Sequence, residues 1–159
     1  RGKRILDMVY LHPADVKAAA GVVDAILQAD AIIFGPGDLY TALLPVLIVS
    51  EIAQAVKKTA AKKMFVINVA NKPFETRNYS VSDYMHAVEK HIGLFPFDIV
   101  ICNNNIQIPI PSQYHYQYVK YKRDKMPEHV TLLAENLVNE SFPLYHSPEK
   151  LAKVIRQHI

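Results

Sequence analysis

A chain of 159 residues, half of them hydrophobic, is the size of one ordinary domain with enough apolar side chain for a sizeable buried core. Its formal net charge of +3 is mild, which argues against nucleic acid or a membrane surface as a partner held by the field of the whole molecule. The single cysteine, Cys102, excludes an internal disulfide and suits a cytoplasmic setting, no apolar run approaches the ~20 residues of a membrane span, and no signal-peptide pattern opens the chain.

Residues 5–11 read as a first strand, and Pro13 suits the opening of a helix that turns Val16, Ala19, Ala20, Val23, Ile26 and Leu27 inward. Residues 31–34 form a second apolar strand, which runs directly into the turn Gly35-Pro36-Gly37 and then into an apolar helical stretch. An amphipathic helix follows with Ile52, Ala55 and Val56 inward and Lys57 and Lys58 at its C-terminal end, where cations complement the helix dipole. Residues 63–69 are a third strand; Ser80, with Asp83 three positions on, is close to a capping box and opens a helix to about Gly93. A short strand over 97–102 leads to the polar turn Asn103-Asn104-Asn105 and a segment carrying Pro109 and Pro111. Further strands are expected at 116–121 and 130–137, and Ser147 caps a terminal helix with Pro148 in its first turn. No repeat or long linker divides residues 1–159, so one α/β domain is expected: three layers, Rossmann-like, with a mainly parallel sheet covered by helices.

The strand-turn-helix junction at residue 35 is the place where α/β proteins usually bind phosphate. Gly35 and Gly37 permit backbone angles that other residues avoid, Pro36 stiffens the turn, and amides at the following helix start can face an anion. The turn is neither GxGxxG nor GxxxxGK[ST], and Asp38 puts a carboxylate where phosphate would sit, so a ligand site and a tight structural turn both remain open. Asn68, Glu75 and Thr76 fall at or after the end of the third strand, the edge where open parallel sheets gather ligands; they read either as hydrogen-bonding groups for ribose, uracil or sugar, or as loop closure. The three asparagines at 103–105 occupy the same edge and read as a tight turn before they read as base-recognising amides.

Alternating tyrosines in residues 114–123, with Lys120 and Lys122 in the same parity and Arg123 following, could stack on single-stranded nucleic acid; an edge strand with its tyrosines on the core is the preferred reading, so nucleic acid is not an expected partner. The seven histidines include no HExxH, and His86 and His91 are five apart, so no metal site is expected. No catalytic constellation can be assigned, Cys102 reads as buried and inert, and His146 reads as a packing residue beside a capped helix.

Three stretches in order give a resemblance. Residues 35–49, Gly-Pro-Gly-Asp-Leu-Tyr-Thr-Ala-Leu-Leu-Pro-Val-Leu-Ile-Val, resemble the pattern GPGSLYTSxLPNLLV. Residues 68–84, from Asn68 through Lys72, Pro73, Glu75 and Thr76 to Tyr84, resemble NxMTQPGETDGFSASDH, and residues 146–152 resemble HDPEKLA. These are patterns of the gluconeogenesis-factor family within the CofD-like superfamily, whose other branch includes 2-phospho-L-lactate transferase. The resemblance implies a protein that binds a nucleotide sugar, UDP-N-acetylglucosamine in particular, and is linked to central carbon metabolism and cell-envelope supply. It implies a ligand site from Gly35, Pro36, Gly37, Asp38, Tyr40, Thr41, Asn68, Glu75 and Thr76, with no catalytic residue.

The chain departs from the pattern where Asp38 replaces a serine, Ala42 removes a second hydroxyl and Phe74 replaces a glycine, each of which weakens anion binding. The alternative activity, transfer of a phospholactyl-type group, would call for magnesium, for which Asp38 is the candidate ligand. The family's N-terminal glycine-rich turn has no counterpart here, and Arg1 opens the chain, so it is expected to be the C-terminal part of a longer protein. An apolar sheet edge left open by that division would favour a homodimer, or an assembly role with no ligand at all.

Overall fold

The computed structural model describes residues 6–121 and 126–159. Along the chain the elements are α1 (Val22–Gln28), β1 (Ala31–Phe34), a wide π-helical turn (Leu39–Leu43), α2 (Leu44–Leu47), α3 (Ser50–Lys58), β2 (Lys62–Val66), β3 (Ala70–Asn71), α4 (Val81–Ile92), β4 (Ile99–Asn103), a single 3-10 turn (Ser112–Tyr114), β5 (Gln117–Tyr118), β6 (Thr131–Glu135) and α5 (Pro148–Arg156). Strands β1, β2, β4 and β6 form one parallel sheet in that spatial order, with Ile33 beside Met64, Phe65 beside Val100 and Val100 beside Leu132.

Every crossover between these strands steps in one direction. Right-handed crossovers then put their helices on a single face. Accordingly Phe65, Val100, Cys102 and Leu132 point into a core with Ala53 and Val56 of α3 and Val81, Tyr84, Met85, Val88 and Ile92 of α4. The alternate residues Met64, Val66, Ile99 and Ile101 point the other way, against Leu151, Val154 and Ile155 of α5. The result is the expected three-layer, Rossmann-like α/β fold. Burial on both faces explains why all five residues of β4 are apolar or enclosed. Each large apolar side chain so buried contributes roughly 1.5–3 kcal/mol. Ile33, on the α5 face of edge strand β1, is left 43% exposed.

Helix α4 shows how local chemistry sets the boundaries. The Ser80 hydroxyl accepts from the Asp83 amide at 3.4 Å, and the Asp83 carboxylate accepts from the Ser80 amide at 2.8 Å, a complete capping box. At the other end Gly93 takes φ 84° and donates to the Glu89 carbonyl at 2.7 Å, which ends the helix where the sequence placed it. Ser147 likewise caps α5 by accepting from the Lys150 amide at 3.3 Å.

Two N-terminal expectations are corrected. Residues 6–11 form no strand, and Ile5 lies outside the described residues. Instead the segment crosses the C-terminal end of α4, where the Val9 amide donates to His91 Nε2 at 3.0 Å and Lys90 pairs with Asp7 at 2.6 Å; a strand needs a ladder partner, and this segment meets a helix. The helix predicted from Pro13 begins only at Val22, after Gly21 at φ 81°. Residues 13–20 have no apolar surface to cover, as Val16 at 36% exposure shows, and the left-handed glycine breaks the periodic pattern.

The strand expected over 116–121 shrinks to β5, which pairs antiparallel with β3 (Ala70 with Tyr118, Asn71 with Gln117). This ribbon adjoins the C-terminal end of β2, and among the described residues the connection from β4 to β6 carries a single 3-10 turn and β5 in place of an α-helix. Tyr118 donates to the Ile108 carbonyl at 2.7 Å; Lys122 and Arg123 lie outside the described residues. Among the described residues no single helix is long and apolar enough to cross a membrane.

Gly35 has φ 95°, and a Cβ there would lie 2.5 Å from the Val66 carbonyl oxygen, so the turn after β1 is seated directly on the end of β2. Gly35→Ala is expected to cost about 2–4 kcal/mol in denaturant unfolding. Gly21→Ala, with a similar φ of 81° but nothing within 4 Å, should cost only ~1 kcal/mol.

Candidate functional site

At the C-terminal edge of the sheet, the turn after β1 and the loop after β2 face each other. The loop folds back so that the Glu75 carboxylate, 7% exposed, accepts from the amides of Tyr40 at 2.7 Å and Thr41 at 3.2 Å and from the Thr41 hydroxyl at 3.4 Å. Two of the amides at the start of the π-helical turn, those of Tyr40 and Thr41, are therefore occupied by a carboxylate of the chain itself. Thr76 completes the closure: its hydroxyl accepts from the Lys72 amide at 3.1 Å and from the Tyr84 hydroxyl at 3.2 Å. Tyr40 is also inside, its hydroxyl 2.8 Å from that of Tyr79, and burial pushes the Tyr40 phenol well above its ordinary value.

In front of this clamp lies a cavity of about 550 Å³ lined by residues 36–38, Asn68, Val69, Ala70 and Lys72 on one side, and by Tyr116, residues 144–146, Pro148 and Leu151 on the other. It opens where the chain leaves β1 toward the α3–α4 face while α5 covers the opposite face. Of the residues singled out in the sequence, Pro36, Gly37, Asp38 and Asn68 line this cavity. Gly35 supports the turn behind it, Tyr40, Glu75 and Thr76 sit buried in the clamp, and Thr41, held by Glu75 through its amide and hydroxyl, is exposed at its edge.

Asp38 precedes the π-helical turn in the N-cap position, yet its side chain caps nothing. It forms an ion pair with Lys72, whose ammonium is also 3.9 Å from the second oxygen of Glu75. The Asp38 carboxylate raises the Lys72 pKa, so the ammonium is firmly charged. Lys72 stands where the family stretch has glutamine and Asp38 where it has serine, so the two charged departures meet each other in space.

His146 is held by its backbone, through a bridge to Val138 and through its neighbour Ser147, whose amide donates to the Leu137 carbonyl at 2.7 Å. Its Nε2 is buried without a partner, and burial pulls the imidazole down to about 4, partly offset by the Ile67 backbone. Tyr145 stacks on Phe142 at 5.2 Å and remains 62% exposed at the rim.

The asparagine run is structural. The Asn103 side-chain oxygen accepts from the amides of Leu137 at 3.0 Å and Val138 at 3.1 Å, and Asn104 donates to the Ala134 carbonyl at 2.7 Å. Cys102 is buried, and desolvation pushes its thiol up to about 12. Among the described residues no three His, Cys, Asp or Glu side chains gather where they could hold a metal ion. Sequence reasoning missed Lys72, Tyr116 and Tyr145 as cavity residues. The one available signal was a lysine just past the end of a strand at the ligand-gathering edge.

A sequence model described as 2-phospho-L-lactate transferase CofD matches residues 1–140. The gluconeogenesis factor of Bacillus subtilis is 37% identical over 74% of this chain and 36% of its own length. An Aquifex aeolicus relative is 33% identical, covering 98% of this chain and 49% of itself. A crystal structure of a Bacillus halodurans protein superposes with a TM-score of 0.87 at 29% identity, over 97% of this chain and 51% of that one. The chain thus spans about half the length, or less, of these relatives.

Removing the clamp should be costly: Glu75→Ala orphans two amides and is expected to lower unfolding stability by about 3 kcal/mol, against ~1 kcal/mol for Glu75→Gln, which keeps an acceptor. The neutral, buried His146 has a depressed folded pKa, so the unfolded state takes up the proton first. Stability is then fully present above about pH 6.5 and falls, by roughly 3 kcal/mol, as pH drops toward 4. Urea titrations across that range should show this slope in the wild type and a shallower one in His146→Leu.

Proposed function

The chain belongs to the CofD family, with gluconeogenesis factors among its relatives, and from that premise we propose that it binds a nucleotide sugar of the UDP-N-acetylglucosamine type as a regulatory protein. The observation that carries this reading is the cavity of about 550 Å³ at the C-terminal sheet edge, which is the size and place of a small-molecule site in an open α/β sheet. Its lining has what such a ligand needs: the Gly37 backbone for close approach, one firmly charged ammonium on Lys72 for phosphate, Asn68 and Asp38 for hydroxyls, and Tyr116 and Tyr145 for the base.

Tyr40, Thr41, Glu75 and Thr76 act in this reading through the clamp that fixes the wall, and touch no ligand. Ligand binding across the turn and the loop would stabilise one arrangement of the two against another, which is how a metabolite shifts a protein between partner-binding states. Regulation is placed ahead of phospholactyl transfer because the named relatives are gluconeogenesis factors. The setting proposed is the cytoplasm, with a link to central carbon metabolism and cell-envelope supply.

Calorimetric titration of the protein at its natural full length with UDP-N-acetylglucosamine, with GDP as control, tests the reading. Tyr145→Ala is expected to weaken UDP-N-acetylglucosamine about tenfold with an unchanged melting temperature, since the ring is 62% exposed and, among the described residues, stacks only on Phe142. Binding of GDP as tight as that of UDP-N-acetylglucosamine, or none of either, defeats it.

A further inference from the structure

We propose that Asp38 and Lys72 form an exchangeable latch in the cavity: a ligand phosphate takes Lys72 from Asp38, and the released carboxylate accepts hydrogen bonds from hydroxyls of the same ligand. The inference rests on the nucleotide-sugar reading for the identity of the ligand but on the geometry of the pair for its mechanism.

Three observations lead to it. First, two of the backbone amides that an anion would ordinarily seek at this turn, those of Tyr40 and Thr41, are filled by Glu75, so a phosphate in the cavity draws on a side chain for positive charge. Among the described residues lining the cavity, Lys72 supplies the only ammonium or guanidinium, and it is shared between two carboxylates. Second, although its backbone carbonyl accepts from the amides of Ala42 and Leu43, the Asp38 side chain has no structural duty among the described residues. It sits in an N-cap position and caps nothing, because Glu75 holds the amides of Tyr40 and Thr41. Its side chain pairs with Lys72. Third, both partners of the pair are about one-third exposed, at 32% for Asp38 and 39% for Lys72, so the pair can open without stranding a charge in an apolar interior.

A lysine suits the exchange better than an arginine would. Its ammonium is a compact point charge on four methylenes, with three rotatable donors, and it can swing from a carboxylate to a phosphate oxygen without losing a bidentate geometry. With two carboxylates facing one ammonium, the closed latch repels a bare anion, and the competition for Lys72 lowers affinity. A ligand that carries phosphate beside vicinal hydroxyls, as a nucleotide sugar does, compensates both groups at once; pyrophosphate compensates only Lys72.

The test is a binding cycle on the protein at its natural full length with Asp38→Ser, Lys72→Gln and the double variant, each titrated with UDP-N-acetylglucosamine and with pyrophosphate, and each checked by thermal unfolding. For a partly exposed pair the melting temperatures should stay within a few degrees of the wild type. The latch predicts that Asp38→Ser tightens pyrophosphate about tenfold or more when Lys72 is present, and that this gain shrinks at least about threefold in the Lys72→Gln background, because only simple repulsion is then relieved. UDP-N-acetylglucosamine should gain less than pyrophosphate from Asp38→Ser, since it loses the acceptor for its hydroxyls. An Asp38→Ser gain for pyrophosphate that is equal with and without the Lys72→Gln substitution, or a loss of pyrophosphate affinity on Asp38→Ser, overturns the latch. Equal binding of UDP-N-acetylglucosamine to all four proteins overturns it too, while leaving the nucleotide-sugar reading intact. The coupled pattern with pyrophosphate alone, and no binding of the nucleotide sugar by any variant, keeps the latch and removes that reading; no binding of either probe by any variant removes both.

Discussion

A buried carboxylate, Glu75, grips the amides of Tyr40 and Thr41 and so ties the loop after β2 to the turn after β1. Two neighbouring strands deliver their chain ends to the same place because they are parallel, but parallel strands alone leave those ends free to splay. With Glu75 in the amides the ends close on each other, Thr76 locks the loop through the Lys72 amide, and Tyr84 reaches out of α4 to the same hydroxyl. The wall of the cavity is therefore built from behind by charge-assisted hydrogen bonds in a low-dielectric interior, where such bonds are strongest and an unmade one is most expensive.

That clamp changes what the glycine turn does. Gly35 is needed because its φ of 95° and the approach of the Val66 carbonyl exclude any side chain, and Glu75 already satisfies the amides of Tyr40 and Thr41 beyond it. The turn thus shapes a surface and gives up two of its amides to the chain's own carboxylate. Lys72 and Asp38 are the charged groups of the cavity lining, and Tyr116 and Tyr145 its aromatic ones, which arrive from the segment leading into β5 and from the loop before α5. The second face of the sheet matters here as well: α5 packs on Met64, Val66 and Ile101, and its first turn brings Pro148 and Leu151, with His146 just before its cap, to the cavity from the side opposite α3 and α4.

Elements with strong local chemistry were legible in the sequence. The Ser80–Asp83 box, Gly93, Ser147 and Pro148 fix two helices by contacts within a few residues, and the apolar strands at 31–34 and 99–103 were placed to within two residues. The N-terminal segment was misread because periodicity reports which residues could be buried, not whether a partner surface exists for them; Val16, Ala19 and Ala20 have the spacing of a helix and nothing to cover. Asn78 shows the opposite case. It replaces a glycine of the family stretch and takes φ 64°, a conformation asparagine tolerates, so the loop keeps its path despite the change.

The sequence by itself determined the α/β class, the parallel sheet, the position of the strand ends where a ligand would gather, and the family, because each is carried by local periodicity, capping chemistry or short contiguous motifs. Only the tertiary structure decided which side chains at that edge face outward. Glu75 and Thr76 turn into the clamp while Lys72, three residues away from Glu75, turns into the cavity, and Asp38 finds its counter-charge across 34 positions of chain. Hydrogen bonds and ion pairs are directional and short-ranged, so the partner of a charged residue is set by where folding brings two backbones together, and that is not written in the spacing of the residues along either one.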